Sequence, residues 1–255
     1  MRVSFLTLNL RFGLANDGEN SWENRKAAVE SLLDAHRPDF LAVQEANVFQ
    51  AGFLAEVLPG YLVTGVRPDA PRFWQNNVIY SASGWNLSSF LHFYLSATPE
   101  IPSRFAESRW PRQCTIGCYE RDGREMVIGD THFDFAECVQ TRSAGLIMEK
   151  LSGYSCPTVL MGDFNARPLS PCYRVFTASG EKCDRPFTDV FDQSDPDFNS
   201  GTHHGFTGSA DPDKGRIDWI FQRGFSGVAE KYIIRDSFEG RYPSDHFPVK
   251  AVLEI

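Results

Sequence analysis

The sequence predicts an α/β protein of two similar halves, each a β-sheet with outer helices, which face each other across one site. The order strand, helix, strand ending in a polar pair or an acid occurs twice along the 255 residues. One copy spans Asn9 to Glu45, 36 residues apart, and the other spans His132 to Asn165, 33 residues apart. Short apolar runs bounded by Pro or Gly also end repeatedly in polar residues. Strand ends of this kind are where open α/β sheets place their sites.

The clearest apolar run is residues 156–165, which predicts a buried strand ending in Asp163 and Asn165. Residues two apart in a strand point to the same face, so the two side chains are expected to project together from its carboxyl end. A strand followed by a plain polar turn is the alternative, because Asp and Asn are ordinary turn residues.

The first copy begins with a strand over residues 3–11, in which Thr7, Asn9 and Arg11 share one face and leucines the other. Ser21 is the expected cap of a helix that stops before Pro38. Residues 39–45 predict the second strand. The inward stripe of the helix is predicted to be Ala27, Leu32, Leu33 and either Ala28 or Val29.

In the second copy, residues 125–132 predict a strand and residues 139–151 a helix with Ala144, Ile147 and Leu151 inward. Residues 166–215, rich in Pro, Gly, Asp and Ser, predict loops around a short helix at 173–179. No low-complexity linker is found, so one domain over residues 1–255 is expected. The remaining predicted strands are 77–80, 113–119, a pair within 85–98, 216–221 and 247–253.

The charge, the cysteines and the apolar runs of the chain argue against several classes of function. A net charge of −8 and a pI near 5.3 argue against broad, sequence-independent binding of duplex DNA, which requires a basic face. The six cysteines contain no C-x-x-C pair, and a chain of this length needs no disulfide staples, so free thiols in a reducing compartment are predicted. The start is too short and too polar for a signal peptide, and no apolar run approaches membrane-spanning length. A cytoplasmic protein without membrane contact is expected.

Acids and histidines recur at the predicted strand ends. Asp218 lies in an otherwise apolar strand, where an unpaired carboxylate is costly, so it requires a partner. Asp245 and His246 precede the last strand and offer a metal ligand and a base side by side. A single histidine is more often a satisfied core or surface residue than a catalyst. The joint pattern favours function, and its members are Glu45, His132, Asp163, Asn165, Asp218, Asp245 and His246.

Six short motifs follow one another along nearly the whole chain. They are Thr7-Leu8-Asn9, Gln44-Glu45, Thr131-His132, Gly162-Asp163-Phe164-Asn165, Arg216-Ile217-Asp218-Trp219-Ile220 and Ser244-Asp245-His246-Phe247-Pro248. Their order resembles that of the endonuclease/exonuclease/phosphatase superfamily. That group includes deoxyribonuclease I, exonuclease III abasic-site endonucleases, messenger-RNA deadenylases, inositol-polyphosphate 5-phosphatases and neutral sphingomyelinases. Residues 18–25 and 201–206 are similar in particular to a bacterial branch.

The resemblance implies a four-layered α/β sandwich with a metal site. Glu45 is implied to hold Mg²⁺, and Asn9 and Asp245 to line the same site. Hard oxygen ligands suit Mg²⁺, and Mn²⁺ is expected to substitute for it.

The resemblance also implies catalytic roles. Asp163 is expected to position the attacking water, and His246 with Asp218 to act as an oriented acid/base pair. Asn165 and His132 are expected to bind the phosphoryl oxygens as charge develops on them. The general base remains open between the aspartate and the histidine.

Two further residues are candidates for substrate contact. Arg11 shares a predicted strand face with Asn9 and is a candidate phosphate ligand, with a plain surface arginine as the alternative. His204 lies in the 201–206 loop and is a second candidate, although a lone loop histidine more often has no role. Phe135 stands where many relatives in the branch carry a histidine, and this departure affects substrate choice more than the core chemistry.

Two rival interpretations remain. Residues 130–132 with Gly162-Asp163 imitate calcineurin-like dimetal phosphoesterases, but the second acid of their G-D-x-x-D is absent and no G-N-H-D or G-N-H-E follows. A catalytically silent binding module is the other interpretation. The presence of Glu45, Asp163 and His246 argues against it, because loss of any one would be the simple sign of a dead site.

The sequence therefore predicts a Mg²⁺-dependent phosphoesterase that hydrolyses phosphodiester bonds by in-line attack of water. The acidic balance disfavours a deoxyribonuclease of bulk duplex DNA. The similarity of residues 205–208 and 216–218 to deadenylases favours a single-stranded nucleic acid or nucleotide. A small-molecule phosphoesterase acting on an inositol, sugar or lipid head-group phosphate is the alternative.

Overall fold

The computed structural model describes residues 1–67, 69–179 and 185–255. Within these residues the chain forms two mixed six-stranded sheets that pack face to face, with four α-helices outside them. The predicted four-layered α/β sandwich is confirmed.

The elements follow the predicted order with additions. In chain order the strands are β1 (Arg2–Asn9), β2 (Phe40–Ala46), β3 (Leu62–Thr64), β4 (Asn76–Ser81), β5 (Asn86–Tyr94), β6 (Gln113–Arg121), β7 (Arg124–His132), β8 (Thr158–Asp163), β9 (Thr188–Asp189), β10 (Asp218–Arg223), β11 (Gly227–Ile233) and β12 (Val249–Glu254). The helices are α1 (Trp22–His36), α2 (Val48–Val57), α3 (Glu137–Leu151) and α4 (Pro171–Thr177).

Each sheet contains one parallel pair at its centre. The first sheet has the order β11-β12-β1-β2-β4-β3 and the second β5-β6-β7-β8-β10-β9. β1 and β2 are parallel and joined through α1, and β7 and β8 are parallel and joined through α3. The predicted repeat is therefore real, and the carboxyl ends of both parallel pairs meet at one place between the sheets.

The alternation of residues along β1 directs its two faces to different layers of the fold. Leu6 and Leu8 pack on the helix side, in one cluster with Trp22 and Val29 of α1. The alternate residues of β1, such as Thr7, face the second sheet. There the side-chain amide of Gln44 donates to Thr7 Oγ1 at 3.0 Å and to Asp130 Oδ1 at 2.7 Å, and so bridges the two sheets. Burial raises the pKa of Asp130 well above its ordinary value.

Several local predictions were wrong. Ala27 is exposed, because Trp22 and Arg25 take the inward positions of the first two turns of α1. The expected pair of strands over 85–98 is the single long strand β5. β1 ends at Asn9, and Arg11 lies beyond it at a φ of 62°, outside any strand. Helix α2 and strands β3, β9 and β11 were not predicted.

The thiols agree with the expected redox chemistry where the structure describes them. Five cysteines are free: Cys114, Cys118, Cys138, Cys156 and Cys172. Cys183 lies outside the described residues. Among the described helices, none combines the length and apolar character required to cross a membrane.

Candidate active site

The carboxyl ends of β1 and β2 carry Asn9 and Glu45. Asn9 is buried, and its Nδ2 donates to Asp163 Oδ2 at 2.9 Å and to Glu45 Oε1 at 3.4 Å. Glu45 adopts a φ of 62° where the β2–β4 ladder is irregular, and its Oε2 accepts the Phe12 N–H at 2.7 Å. A bulge of this kind re-aims a side chain, and here it holds one carboxylate oxygen while the other faces the site.

His132 ends β7 and lies between Arg112 and Asp163. Arg112 Nη1 lies 2.9 Å from Nδ1, and Asp163 Oδ2 lies 3.3 Å from Nε2. A guanidinium only donates, so Nδ1 accepts, and a neutral ring then carries its proton on Nε2, which lies 3.3 Å from Asp163 Oδ2 and 3.0 Å from the Asn165 side-chain nitrogen. Burial, and then the charge of Arg112, lower the pKa of His132 well below its ordinary value. His132 is therefore a neutral ring that points an N–H at Asp163.

A turn after β8 brings Asn165 to the same point. Asn165 lies past the strand at a φ of 48°, so it does not share a strand face with Asp163 as predicted. The turn places the Asn165 N–H on Asp163 Oδ1 at 2.9 Å, while Nδ2 donates to the Phe133 carbonyl at 3.0 Å. Gly162 permits the close packing, since a Cβ there would lie 1.9 Å from the carbonyl oxygen of Thr131.

Asp163 stands at the centre of these groups. Its Oδ2 is contacted by Asn9 and His132 and lies 3.9 Å from His246 Nε2. Burial is the main cause that raises the pKa of Asp163 to about 7, and the charge of Asp218 adds to it. A carboxylate tuned in this way exchanges a proton near neutral pH.

His246 is the partner that Asp218 requires. Its Nδ1 lies 2.9 Å from Asp218 Oδ2, and both residues are buried. Burial opposes the charged imidazolium, but the carboxylates of Asp218, Asp163 and Asp245 outweigh it and raise the pKa of His246 to about 10. His246 is therefore a cation at neutral pH, oriented through Nδ1 with Nε2 toward Asp163.

Asp245 lies beside this pair and faces two cationic or titratable groups. Arg11 Nη1 lies 3.7 Å and His203 Nε2 4.0 Å from its Oδ2. Burial acts to raise the pKa of Asp245, but the charges of His246, Arg11 and His203 outweigh it and lower that pKa. The preceding Ser244 donates its hydroxyl to the carbonyl of Asn9, which ties the segment to the end of β1.

The two predicted substrate residues differ in placement. Arg11 reaches the site but is also bound to Asp17, to which Nε and Nη2 donate at 2.9 and 2.8 Å. His204 is buried, stacks on Phe247 with ring centroids 3.9 Å apart, and accepts the Gly208 N–H at 3.2 Å. Burial lowers the pKa of His204 to about 4. Substrate contact by either residue stays a prediction.

His203 lies in the 201–206 segment but was not among the predicted site residues, and it presents its ring to the site. Its backbone forms a β-bridge with His246, and the two rings lie 5.0 Å apart at 85°. Burial is the main cause that lowers the pKa of His203. Of the two adjacent histidines, His203 rather than His204 faces the predicted catalytic groups.

Residues 6–246 match the model of the endonuclease/exonuclease/phosphatase family. The chain belongs to this family. The family and its structural neighbours are phosphoester hydrolases, so the chain is a phosphoester hydrolase rather than a silent binding module. Family membership also replaces the calcineurin-like interpretation. No curated protein matches the sequence.

Solved structures of other proteins are similar over the full length. A family protein from Bacteroides thetaiotaomicron shares 26% identity, with a TM-score of 0.86 over 99% of this chain and 97% of that chain. The mannosyl-6-phosphatase of the same organism gives 26% identity and a TM-score of 0.86 over 99% of this chain and 100% of that chain. A truncated TDP2 of Caenorhabditis elegans shares the fold at 17% identity, with a TM-score of 0.74 over 100% of this chain and 98% of that chain.

The endonuclease/exonuclease/phosphatase family generally depends on a divalent metal, and the donors in this chain fit one. Glu45 keeps Oε2 on a backbone N–H and turns Oε1 toward Asn9 and His132, at 3.4 and 4.0 Å. Carboxylate and amide oxygens suit a hard cation. Among the described residues, two His/Asp groups also have potential ligand atoms within 4.8 Å of one another: His203 with Asp245 and His246, and Asp163 with Asp218 and His246.

Arg25 links the two segments that are similar to the bacterial branch of the family. It is buried in α1, and its guanidinium donates to the carbonyls of Pro243 at 2.8 Å and Arg11 at 3.0 Å. It also lies 5.1 Å from the Trp22 ring and 5.9 Å from the Phe206 ring. One side chain thereby fixes both loops that end at Arg11 and Asp245. The segment of residues 18–25 therefore helps to position the site through Arg25.

Proposed function

We propose that this family member is a Mg²⁺-dependent phosphoesterase that hydrolyses phosphodiester bonds by in-line attack of water. The observation that carries this proposal is the convergence of five side chains from both sheets at one point. Asn165 and His132 supply N–H groups, Asp163 supplies a carboxylate that titrates near neutral pH, and Asp218 orients a cationic His246.

The pKa values assign the proton transfers. Asp163, with a pKa of about 7, is the group that holds the water and accepts its proton. The carboxylates of Asp218, Asp163 and Asp245 raise the pKa of His246 to about 10 against the effect of burial, which supports a cationic role for His246 rather than that of the base. We assign it to stabilising negative charge on phosphorus-bound oxygen and to protonating the leaving group. Asp218 holds the ring of His246 in place and balances the charge of that ring.

Two neutral donors complete the site for the transferred phosphoryl group. The Nε2–H of His132 and the amide of Asn165 lie beside Asp163, where charge develops on the phosphoryl oxygens during attack. Donors held in advance of the reaction are worth more than solvent, because they do not have to reorient. Their preorganisation comes from Arg112 and from the carbonyl of Phe133.

Glu45, Asn9 and Asp245 are the residues proposed to hold the metal. When bound, Mg²⁺ supplies charge neutralisation at a phosphate oxygen and the leaving group. Mn²⁺ is expected to replace it. A cytoplasmic location and a single domain over residues 1–255 complete the proposal.

The preferred substrate is a single-stranded nucleic acid or a nucleotide, supported by the arginine and aromatic side chains beside the site. A second candidate is a sugar phosphate. The observation that favours it is the 26% identity with the mannosyl-6-phosphatase over essentially the full length of both chains.

A substrate panel tests the proposal. Short single-stranded RNA and DNA, bis-p-nitrophenyl phosphate, p-nitrophenyl phosphate, inositol phosphates and mannose 6-phosphate are incubated with Mg²⁺ or Mn²⁺ and again with EDTA. Metal-dependent cleavage of oligonucleotides supports the nuclease activity. Release of phosphate confined to the sugar phosphate keeps the mechanism and replaces the substrate. No metal-dependent hydrolysis of any member removes the proposed function.

A further inference from the structure

An open cavity of about 410 Å³ lies beside the predicted catalytic groups. Its walls are mainly aromatic and include Phe12, Phe73, Trp74, Trp110 and Pro111. Phe73 is 64% exposed and Trp110 52% exposed, which is unusual for rings of this size. A concave apolar site of this volume accommodates a small ring system.

Two residues of the cavity wall adjoin residues of the site. Phe12 lines it, and the backbone N–H of the same residue holds Glu45 Oε2. Pro111 also lines it, and the next residue, Arg112, contacts His132. A group bound in the cavity therefore lies next to a phosphate bound at His132.

One wall is fixed by Asn47, which follows Glu45 by two residues. The buried amide of Asn47 donates to the carbonyls of Arg72 and Trp74, both at 3.0 Å. Its Oδ1 accepts the Gly13 N–H at 3.0 Å. The loop that carries Phe73 is thereby tied to the turn that carries the predicted metal ligand.

The opposite wall is fixed in the same way by Asp134, which follows His132 by two residues. Its buried Oδ2 accepts the N–H groups of Arg109 at 2.9 Å and Trp110 at 3.1 Å. Both aromatic walls are thus held by a buried polar side chain next to a predicted site residue. Such anchoring positions the exposed rings relative to the reacting phosphate.

Arginines accompany the rings, although the chain as a whole is acidic. The guanidinium of Arg67 lies 5.2 Å from the ring of Trp74, and that of Arg109 lies 5.5 Å from the ring of Trp110. Arg72 belongs to the first wall, and Arg112 follows the second. Aromatic platforms among basic side chains are the arrangement that binds single-stranded nucleic acids, since bases stack on the rings and phosphates pair with the arginines.

We propose that this cavity is a nucleobase subsite. The base of a nucleotide or single strand stacks on Phe73 and Trp110, while its phosphate lies at His132 and Asp163. Arg109, whose guanidinium lies 5.5 Å from the ring of Trp110, faces a neighbouring phosphate. The subsite rests on the proposed function in one respect, that the phosphate binds at this site.

A binding experiment tests the subsite without requiring turnover. The affinities of AMP and ribose 5-phosphate, which differ only by the base, are measured by calorimetry with Mg²⁺ in an Asp163→Asn protein. AMP is expected to bind at least about fivefold tighter, the low end for one base–aromatic stack. Adding Phe73→Ala or Trp110→Ala should remove most of this preference. Phe90→Ala, at an equally exposed phenylalanine on β5 (59%) outside this cavity, should preserve it.

The outcomes separate the two proposals. Equal affinity for AMP and ribose 5-phosphate, or a preference that survives both wall substitutions, overturns the subsite even if the wild-type protein hydrolyses phosphoesters. A base preference that depends on Phe73 and Trp110 supports the subsite even if no phosphoester is hydrolysed, and in that case the proposed function fails alone. Melting curves check that each variant is folded, which is expected because both rings are largely exposed.

Discussion

Asp163 and Asp218 lie directly opposite each other on the antiparallel strands β8 and β10, and both carboxylates face the ring of His246. Two carboxyl groups so close cannot both ionise freely, so either the pKa of one is raised or a cation neutralises its charge. The imidazolium of His246 pairs with Asp218 at 2.9 Å, whereas Asp163 lies 3.9 Å away and takes the raised pKa. The register of the two strands thereby distinguishes the two carboxylates, which is the basis for the proposed base and acid.

The pH profile of kcat/KM should show this separation. Activity is expected to rise as Asp163 ionises, around pH 7, and to fall as His246 loses its proton, around pH 10. Asp218→Asn removes a charge that raises both pKa values, so both limbs should move to lower pH. Asp122→Asn, an exposed acid, is the control and should leave the profile unchanged. Limbs that stay in place in Asp218→Asn would contradict these roles.

Asp163→Ala should lower kcat by about 10²- to 10⁴-fold, the usual contribution of one acid–base group. Its melting temperature should stay near wild type, because the cost of burying this carboxylate, seen in a pKa raised to about 7, offsets the hydrogen bonds that it accepts from Asn9 and Asn165. His246→Ala also abolishes activity but leaves Asp218 buried without its partner, so a lower melting temperature is expected there. A large loss of stability in Asp163→Ala, with turnover retained per folded molecule, would make Asp163 structural.

Glu45→Gln should weaken Mg²⁺ binding by about tenfold or more, the size typical of changes at metal sites. The amide oxygen can still accept the Phe12 N–H, so the substitution changes the charge and little else. Activity and calorimetric heat are titrated with Mg²⁺ in the variant and in Glu30→Gln, an exposed acid on α1. An unchanged titration would remove Glu45 from the metal site.

The adjacent histidines form a matched pair. His203→Ala should lower kcat/KM without changing the melting temperature, because its partly exposed ring faces Asp245 and His246. His204→Ala should cost about 2–4 kcal/mol of stability, as large-to-small changes in packed regions do, because it removes the ring stacked on Phe247. Chemical denaturation and steady-state kinetics measure both effects. If instead His204→Ala lowers kcat/KM and His203→Ala lowers stability, His204 rather than His203 is the substrate contact.

The parts that sequence predicts well are those with a local cause. Strand ends such as Asn9, His132 and Asp163 follow apolar runs, and the alternation of β1 already separates the two layers it faces. The need of Asp218 for a partner also follows from the cost of burying a lone carboxylate, whereas the choice of His246 came from the family resemblance. These features depend only on neighbours along the chain.

The parts that were missed depend on contacts between distant segments. Arg112 and His203 acquire their roles only when β7 and the last loop bring His132 and His246 to them. The positive φ of Asn165 is equally invisible in a strand pattern. One signal was available: polar residues stand two positions after Glu45 and after His132, and both prove to be buried anchors, Asn47 and Asp134.

The hydrogen bond from Ser244 to the carbonyl of Asn9 joins positions 235 residues apart. Such a contact carries a loop-closure cost in chain entropy and needs residues from both ends of the chain. A nascent chain on the ribosome, or a fragment left by a protease, therefore lacks the complete hydrolytic centre. The topology therefore makes the complete centre a property of the whole folded chain.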